Sequence, residues 1–145
     1  MTTEQIYKLF RESKGVSTDS RTVANGQIFF ALWGDTYNGN KFATEAIDKG
    51  ASWAIIDDPA FETEKTILVD DCLIELQALS AQHRKEMKVP VLAITGTNGK
   101  TTTKELISAI LSRKFKVHAT SGNLNNHIGV PLTILSAPEG TEILV

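Results

Sequence analysis

The residue types and spacing that suggest chemistry are concentrated in one heptapeptide. It consists of Gly96, Thr97, Asn98, Gly99, Lys100, Thr101 and Thr102. Glycines let backbone N–H groups approach an anion closely, a lysine can reach the outer phosphates of a nucleotide, and a hydroxyl can ligate its magnesium ion. The common form of such a loop has four residues between its glycines, whereas only Thr97 and Asn98 intervene here. The heptapeptide therefore predicts a shorter variant of the phosphate-binding loop, with ATP and Mg²⁺ as its ligands.

Each position of this loop has an expected role. We expect residues 96–99 to donate backbone N–H groups to phosphate and Lys100 to contact the outer phosphates. Thr101 is predicted to ligate magnesium, and Thr102 is predicted to add a hydroxyl or to cap the helix that follows. The alternative is a glycine-rich turn between a strand and a helix that binds no ligand.

Apolar segments on either side of the loop predict the order strand, loop, helix. Residues 91–94 are all apolar, which is typical of a strand buried on both faces of a parallel sheet. One side of the following helix is apolar at Leu106, Ile107, Ile110 and Leu111. Residues 116–119 and 142–145 predict two further strands, with a helix starting at Pro131 between them. Because the last strand stops at Val145, where its loop should begin, we expect a truncated domain.

The preceding part of the chain shows its own alternation of helix and strand signals. Helices are predicted after a capping box of Thr2 and Gln5, around the apolar residues of segment 42–47, and after Asp71 as the cap of a long helix. The predicted strands are residues 28–32, 53–56 and 67–69, with a polar stretch at 16–21 and a Gly- and Asn-rich loop at 33–40. That loop is long enough to hold a ligand.

These signals predict an α/β protein with two parts. We place the boundary near Lys88, at the end of the long helix. Residues 1–88 are predicted to form a small N-terminal α/β domain. Residues 89–145 are predicted to be the first part of a parallel-sheet P-loop ATPase domain.

Composition and charge narrow the class of partners. Fifteen basic residues against seventeen acidic ones give a net charge of −2, so no basic surface is expected for a nucleic-acid backbone. Cys72 is the single cysteine, and the first residues lack the basic-then-apolar pattern of a secretion signal. No apolar run approaches the length that spans a bilayer. We predict a cytoplasmic protein with no nucleic-acid partner and no membrane insertion.

A polar segment after the second strand of the ATPase part supplies further candidates. It contains Asn123, Asn125 and Asn126. Side-chain amides at the carboxyl end of a parallel strand can orient phosphate, magnesium-bound water or a reacting carboxylate. Asx turns are the alternative. We predict a site role for at least one of the three. The histidines have no carboxylate or second histidine at ligand spacing, so a structural or solvated role is expected for each.

Three stretches resemble one known enzyme family. Residues 93–103, AITGTNGKTTT, look like the ATP loop of the Mur ligases, the amide-bond-forming enzymes of peptidoglycan synthesis. Residues 18–51 resemble the uridine-nucleotide-binding domain of the tripeptide-forming and pentapeptide-forming members. Residues 122–135, GNLNNHIGVPLTIL, are similar to the pentapeptide-forming branch, which adds D-Ala-D-Ala. The resemblance covers nearly the whole chain, with the motifs in the family's order.

The resemblance implies a reaction. ATP phosphorylates the carboxylate of UDP-N-acetylmuramoyl-tripeptide, and the amine of D-Ala-D-Ala then attacks the acyl phosphate. Lys100, as the catalytic residue, and magnesium would offset charge on the transferring phosphoryl group. Ser20 and Arg21 match the family's D-S-R motif and would contact the uridine substrate, the alternative being a loop cap paired with Asp19. Asn40 stands where many relatives have histidine.

The resemblance also implies what such a chain lacks. The family's catalytic remainder and its D-Ala-D-Ala-binding domain are expected beyond Val145, so the fragment alone is expected to be inactive and its parent a monomer. Three alternatives stay open: the tripeptide-forming Mur ligase, a folylpolyglutamate synthetase-like ligase, and a nucleotide or UDP-sugar binding module without catalysis.

Overall fold

The computed structural model describes residues 1–34, 36–122 and 124–145. The chain forms two compact units, Met1–Gln82 and His83–Val145. Its described helices include none that is both long and apolar enough to cross a bilayer.

The first unit is built around a parallel sheet. Its strands are β1 (Val16–Ser17), β2 (Ile28–Phe30), β3 (Trp33–Gly34), β4 (Tyr37–Asn38), β5 (Trp53–Ile56) and β6 (Thr66–Leu68). Four of them form the parallel sheet in the order β1-β2-β5-β6, and β3 and β4 form an antiparallel hairpin. All three residues of β2 are buried, as expected for a strand of a parallel sheet that is covered on both faces.

Three α-helices begin in this part of the chain. They are α1 (Thr3–Glu12), α2 (Ala43–Asp48) and α3 (Cys72–Met87), with short 3-10 helices at Gly39–Phe42 and Pro59–Phe61. The predicted capping box is confirmed, because the side chains of Thr2 and Gln5 each accept from the other's backbone N–H. The predicted cap of the long helix is also confirmed, since Asp71 Oδ1 accepts from Ile74 N at 2.8 Å.

Two segments of the first unit differ from prediction. Residues 16–21 are a polar stretch to which the sequence assigned no element, and Val16 and Ser17 pair with Ile28 and Phe29 as β1. Residues 33–40 were predicted to be a loop and instead contain the β3–β4 hairpin and the start of a 3-10 helix. β1 depends on β2, a partner farther along the chain that hydrophobic periodicity does not reveal, whereas the hairpin pairs nearby residues, Trp33 with Asn38 and Gly34 with Tyr37.

The second unit has the predicted order of helices and parallel strands. Its elements are α4 (Lys100–Leu111), β7 (Val117–His118), α5 (Gly129–Leu135) and β8 (Ile143–Leu144). β7 pairs with β8 in parallel, and Val91 forms a parallel bridge with Leu144 on the other side of β8. The confirmed α/β class thus rests on parallel strands in both units.

The expectation that residues 91–94 form a strand buried on both faces is wrong. Only Val91 takes part in pairing, and its side chain is 46% exposed. β8 covers one flank, and the described residues provide no strand for the other. The predicted apolar side of α4 is likewise exposed at Leu106 and Ile110.

Helix α3 ends at Met87, next to the predicted boundary. Lys88 has φ 53°, the left-handed conformation that commonly follows the last turn of a helix. The two compact units divide five residues earlier than this residue, between Gln82 and His83. The assignment of a substrate domain to residues 1–88 and an ATP domain to 89–145 stays a prediction.

Candidate functional site

The glycines of the phosphate loop adopt backbone conformations that would be strained for any other residue. Gly96 has φ 147° and Gly99 has φ 77°, values that L side chains rarely adopt. A Cβ added to Gly99 would meet no atom within 4 Å, and one added to Gly96 would meet only Asn98 O at 3.8 Å. Conformation rather than crowding therefore requires these glycines.

The loop leads directly into the N-terminus of α4. The first backbone bond of this helix runs from Thr103 N to Gly99 O at 2.9 Å. The N–H groups of Lys100, Thr101 and Thr102 precede that bond, so they are the donors that a helix N-terminus presents. Together with the helix dipole they favour a negatively charged ligand.

The Lys100 side chain turns back over the loop, where its Nζ donates to the carbonyl of Gly96. This contact places a positive charge beside the loop backbone. Lys100 also lines a cavity of about 260 Å³ together with Thr101. Thr97, Asn98 and Thr102 are exposed. The predicted cation and the predicted magnesium ligand therefore share one cavity.

The asparagines behave differently from one another. Asn123 lies outside the described residues. Asn125 is exposed and lines the cavity with Lys100 and Thr101. Asn126 Oδ1 instead accepts from Ile128 N at 3.1 Å and Gly129 N at 2.7 Å, so it caps the start of α5. Of the two described asparagines, Asn125 is the one that lines the cavity, and its role in a site stays a prediction.

Sequence reasoning missed Lys104, which lies on the cavity wall one turn beyond Lys100. Its side chain is only 11% exposed. Nζ donates to Thr120 O at 2.5 Å and forms an ion pair with Glu105 Oε1 at 3.0 Å. The spacing of Lys100 and Lys104 was a signal in the sequence, because residues i and i+4 lie on the same face of a helix.

In the first unit, Arg21 is held by Asp19. Arg21 Nε donates to Asp19 Oδ1 at 2.9 Å and Nη2 to Oδ2 at 2.7 Å. Hydrogen bonds from the Arg21 side chain and backbone lower the pKa of Asp19 to about 2. The Arg21 side chain is 83% exposed. The Asp19-paired arrangement is therefore the one in the structure, and contact of Arg21 with substrate stays a prediction.

Ser20 is buried between these two charged residues. Its carbonyl accepts from Lys49 Nζ at 3.0 Å, and the same ammonium pairs with Glu45 Oε1 at 2.6 Å. Lys49, the C-cap residue that follows α2, thus anchors the D-S-R segment, and the sequence analysis did not select it. A substrate contact of Ser20 also stays a prediction.

Asp57, directly after β5, accepts several hydrogen bonds, and we call this network the Asp57 centre. Its carboxylate accepts from Trp33 Nε1 at 2.8 Å, Asn40 Nδ2 at 2.8 Å and Cys72 N at 3.0 Å. Burial raises the pKa of Asp57, but these hydrogen bonds outweigh it, so the net pKa lies below its usual value. Asn40 is completely buried here, and its Oδ1 also accepts from Asp57 N and Asp58 N. Asn40 is therefore a structural residue of this centre.

These groups lie where a parallel sheet usually binds ligands. Asp19 and Arg21 follow β1, Trp33 follows β2, and Asp57 follows β5. The carboxyl ends of parallel strands meet at one edge of the sheet. The first unit therefore presents its charged and aromatic candidates at that edge.

The glycine loop, the helix that begins at Lys100 and the parallel strands define a P-loop nucleotide-binding protein. A family model described as the Mur ligase family, catalytic domain, matches residues 12–111, and one described as the Mur ligase middle domain matches residues 94–145. The chain belongs to the Mur ligase family.

Relatives within the family are similar over most of this chain. It is 44% identical to the UDP-N-acetylmuramoyl-tripeptide–D-alanyl-D-alanine ligase of Bacillus subtilis, over 90% of this chain and 29% of that protein. It is 38% identical to the enzyme of the same name from Escherichia coli, over 83% of this chain and 26% of that protein. The chain thus spans less than a third of the length of these relatives.

Solved structures show the same fold. MurF from Acinetobacter baumannii matches with a TM-score of 0.86 and 31% identity, over 99% of this chain and 34% of that one. MurF ligase from Thermotoga maritima in complex with ADP matches with a TM-score of 0.83 and 32% identity, over 94% of this chain and 31% of that one.

Proposed function

We propose that this chain supplies the uridine-substrate-binding part and the phosphate loop of an ATP-dependent ligase of peptidoglycan precursor synthesis. The ligase joins D-Ala-D-Ala to UDP-N-acetylmuramoyl-tripeptide. The observation that carries the proposal is the 44% identity, over 90% of this chain, to a Bacillus subtilis protein with that name. Since the chain spans 29% of that relative, we propose that it binds ligands but does not complete the reaction alone.

The residues of the second unit fit a nucleoside triphosphate. The open space over Gly99 admits phosphate oxygens, and the N–H groups that begin α4 point out of the helix end. Lys100 then exchanges a neutral acceptor, the Gly96 carbonyl, for charged phosphate, which makes a stronger hydrogen bond. Thr101, on the same cavity, supplies the hydroxyl for Mg²⁺.

The chemistry supplied by ATP is transfer of its terminal phosphoryl group to the tripeptide carboxylate, with release of ADP. The amine of D-Ala-D-Ala then forms the amide bond at that carbonyl, and inorganic phosphate leaves. Lys100 offsets the negative charge on the phosphates during the transfer. Asn125 faces the same cavity and orients an oxygen of phosphate, water or carboxylate through its amide.

The first unit binds the uridine substrate at the carboxyl edge of its sheet. We propose that Arg21 releases Asp19 and contacts the diphosphate, while Ser20, held through Lys49, sets the position of that segment. The exposed guanidinium allows this exchange without disturbing the core. The surplus of acidic over basic residues supports the proposal of no nucleic-acid partner, and the single cysteine supports a cytoplasmic location; the monomeric state of the parent is proposed from the family resemblance alone.

Calorimetric titration tests both sites. UDP-N-acetylmuramoyl-tripeptide and Mg-ATP are titrated separately into the chain, and the exposed Lys114→Ala and Arg11→Ala variants serve as matched controls. Arg21→Ala is expected to lower the affinity for the uridine ligand about tenfold, and Lys100→Ala is expected to lower the affinity for Mg-ATP about tenfold or more. Each change removes a charge-assisted hydrogen bond. Tighter binding of the dipeptide precursor than of the tripeptide would favour the tripeptide-forming ligase. Loss of the uridine ligand with retained, Lys100-dependent Mg-ATP binding would refute the substrate assignment.

A further inference from the structure

Lys104 is a buried cation that the proposed binding roles leave unexplained. Its side chain is 11% exposed, whereas lysines are rarely buried unless they are paired. The ion pair with Glu105 contributes little, because the carboxylate is 67% exposed and surface pairs are screened by water. The bond to Thr120 O, at 2.5 Å, is therefore the contact that accounts for its position.

Thr120 is the point at which the chain leaves the sheet of the second unit. It lies two residues beyond β7, and its backbone N–H donates to Val145 O at 2.9 Å. A lysine on α4 that holds Thr120 O consequently ties the phosphate-loop helix to the start of the segment between β7 and α5. We refer to the described residues of this segment, 119–122 and 124–128, as the β7–α5 loop.

The far end of the β7–α5 loop is fixed independently. Asn126 Oδ1 accepts from the N–H groups of Ile128 and Gly129, which joins the loop to the first turn of α5. Asn125 lies between these two anchors and lines the cavity with Lys100 and Thr101. Asn125 thus belongs to a segment that is anchored at its start, through Thr120, and at its end, through Asn126.

We propose that Lys104 is a positioning residue of the ATP site, acting through Thr120 to hold Asn125 beside the phosphate loop. This inference rests on the proposed function for the identity of the ligand. It adds a named residue whose ammonium is engaged by Thr120 O and Glu105 and that controls nucleotide affinity through the placement of Asn125. The ammonium suits the task because it donates a charge-assisted hydrogen bond from a side chain packed on the helix that carries Lys100.

A double-mutant cycle measures whether Lys104 acts through Asn125. Mg-ADP is titrated into wild type, Lys104→Met, Asn125→Ala and the double variant. We expect Lys104→Met to weaken binding about tenfold in the wild-type background and by less than about twofold when Asn125 is already alanine. Equal weakening in both backgrounds would overturn the proposal, because Lys104 would then act on the nucleotide directly or through the whole unit.

Three further variants separate positioning from folding. Lys104→Arg keeps the charge and the donors and should recover most of the lost affinity. Glu105→Gln removes the ion pair while leaving the Thr120 bond, and Lys114→Met makes the matched change at an exposed lysine; both should bind Mg-ADP like wild type. Failure of Lys104→Arg to recover affinity, or a loss in Glu105→Gln equal to that in Lys104→Met, would contradict the assigned contact.

A ligand-free measurement keeps this test separate from that of the proposed function. The side-chain amide resonance of Asn125 is followed by NMR in the chain without nucleotide. Lys104→Met should shift or broaden this resonance, and Lys114→Met should not. If wild type shows no Lys100-dependent nucleotide binding, the proposed function fails, and the NMR result still decides whether Lys104 positions Asn125.

Discussion

Replacing Asn40 by alanine should strongly destabilise the first unit. The side chain is completely buried. Its Nδ2 donates to Asn38 Oδ1 at 2.9 Å and to Asp57 Oδ1 at 2.8 Å, while its Oδ1 accepts from Asp57 N at 3.0 Å and Asp58 N at 3.3 Å. One residue thus links the hairpin region to the end of β5.

The magnitude follows from the groups that lose a partner. Asn40→Ala leaves the backbone N–H groups of Asp57 and Asp58 without this acceptor, and an unsatisfied buried donor costs about 1–3 kcal/mol. It also removes one of the donors that compensate the burial of the Asp57 carboxylate. Entry of water into the space offsets part of the loss. We expect the free energy of unfolding to fall by about 3 kcal/mol.

Tryptophan fluorescence during urea unfolding is a suitable assay. The two tryptophans of the chain, Trp33 and Trp53, both lie in the first unit, so the signal reports on that unit alone. Asn25→Ala, at an exposed position of the same unit, is the control and should change stability by no more than about 0.5 kcal/mol. A loss below about 1 kcal/mol for Asn40→Ala would refute the reasoning, because water would then satisfy both N–H groups at little cost.

Three more predictions concern single groups. The lowered pKa of Asp57 contributes stability that is fully present above the ordinary carboxyl pKa of about 4 and is lost as pH falls through the pKa of the folded state. Asp57→Asn should therefore flatten the acid side of the plot of unfolding free energy against pH, measured by fluorescence. Gly129→Ala would place a Cβ 2.6 Å from Leu124 backbone atoms, so it should lower the thermal midpoint of the second unit by circular dichroism, and an unchanged midpoint would contradict that close approach. Burial raises the pKa of the Cys72 thiol, so a disulfide reagent should react far more slowly with native than with urea-unfolded protein; equal rates would show that the thiol is accessible.

Local signals in the sequence were sufficient to predict most of the helices and strands. The phosphate loop, the capping box of Thr2 and the strand Trp53–Ile56 each depend on residues close together in the chain. Their geometry is therefore determined by short-range rules of glycine conformation, capping and apolar runs. The parallel arrangement followed from the alternation of helices and strands.

Features that depend on distant partners were not predictable in this way. Val16 and Ser17 form a strand only because β2 lies beside them. Asn40 belonged to a predicted ligand loop, whereas its main partner, Asp57, is 17 positions away in the sequence. Exposure of residues 91–94 has the same origin, since an apolar run predicts a buried strand only where strands flank it on both sides.

Both proposed anion-binding cations have acceptors within the chain, and these acceptors differ in charge. Lys100 contacts a neutral carbonyl, so phosphate displaces it with a gain in charge-assisted hydrogen bonding. Arg21 pairs with a carboxylate whose pKa of about 2 keeps it ionised at any physiological pH, so a ligand must compete with a full negative charge. A single phosphate should therefore bind poorly at Arg21, whereas a diphosphate that adds contacts from its nucleoside can compete. The Asp19–Arg21 pair would then act as a selectivity element against small anions, and the exposed position of Arg21 keeps the exchange fast.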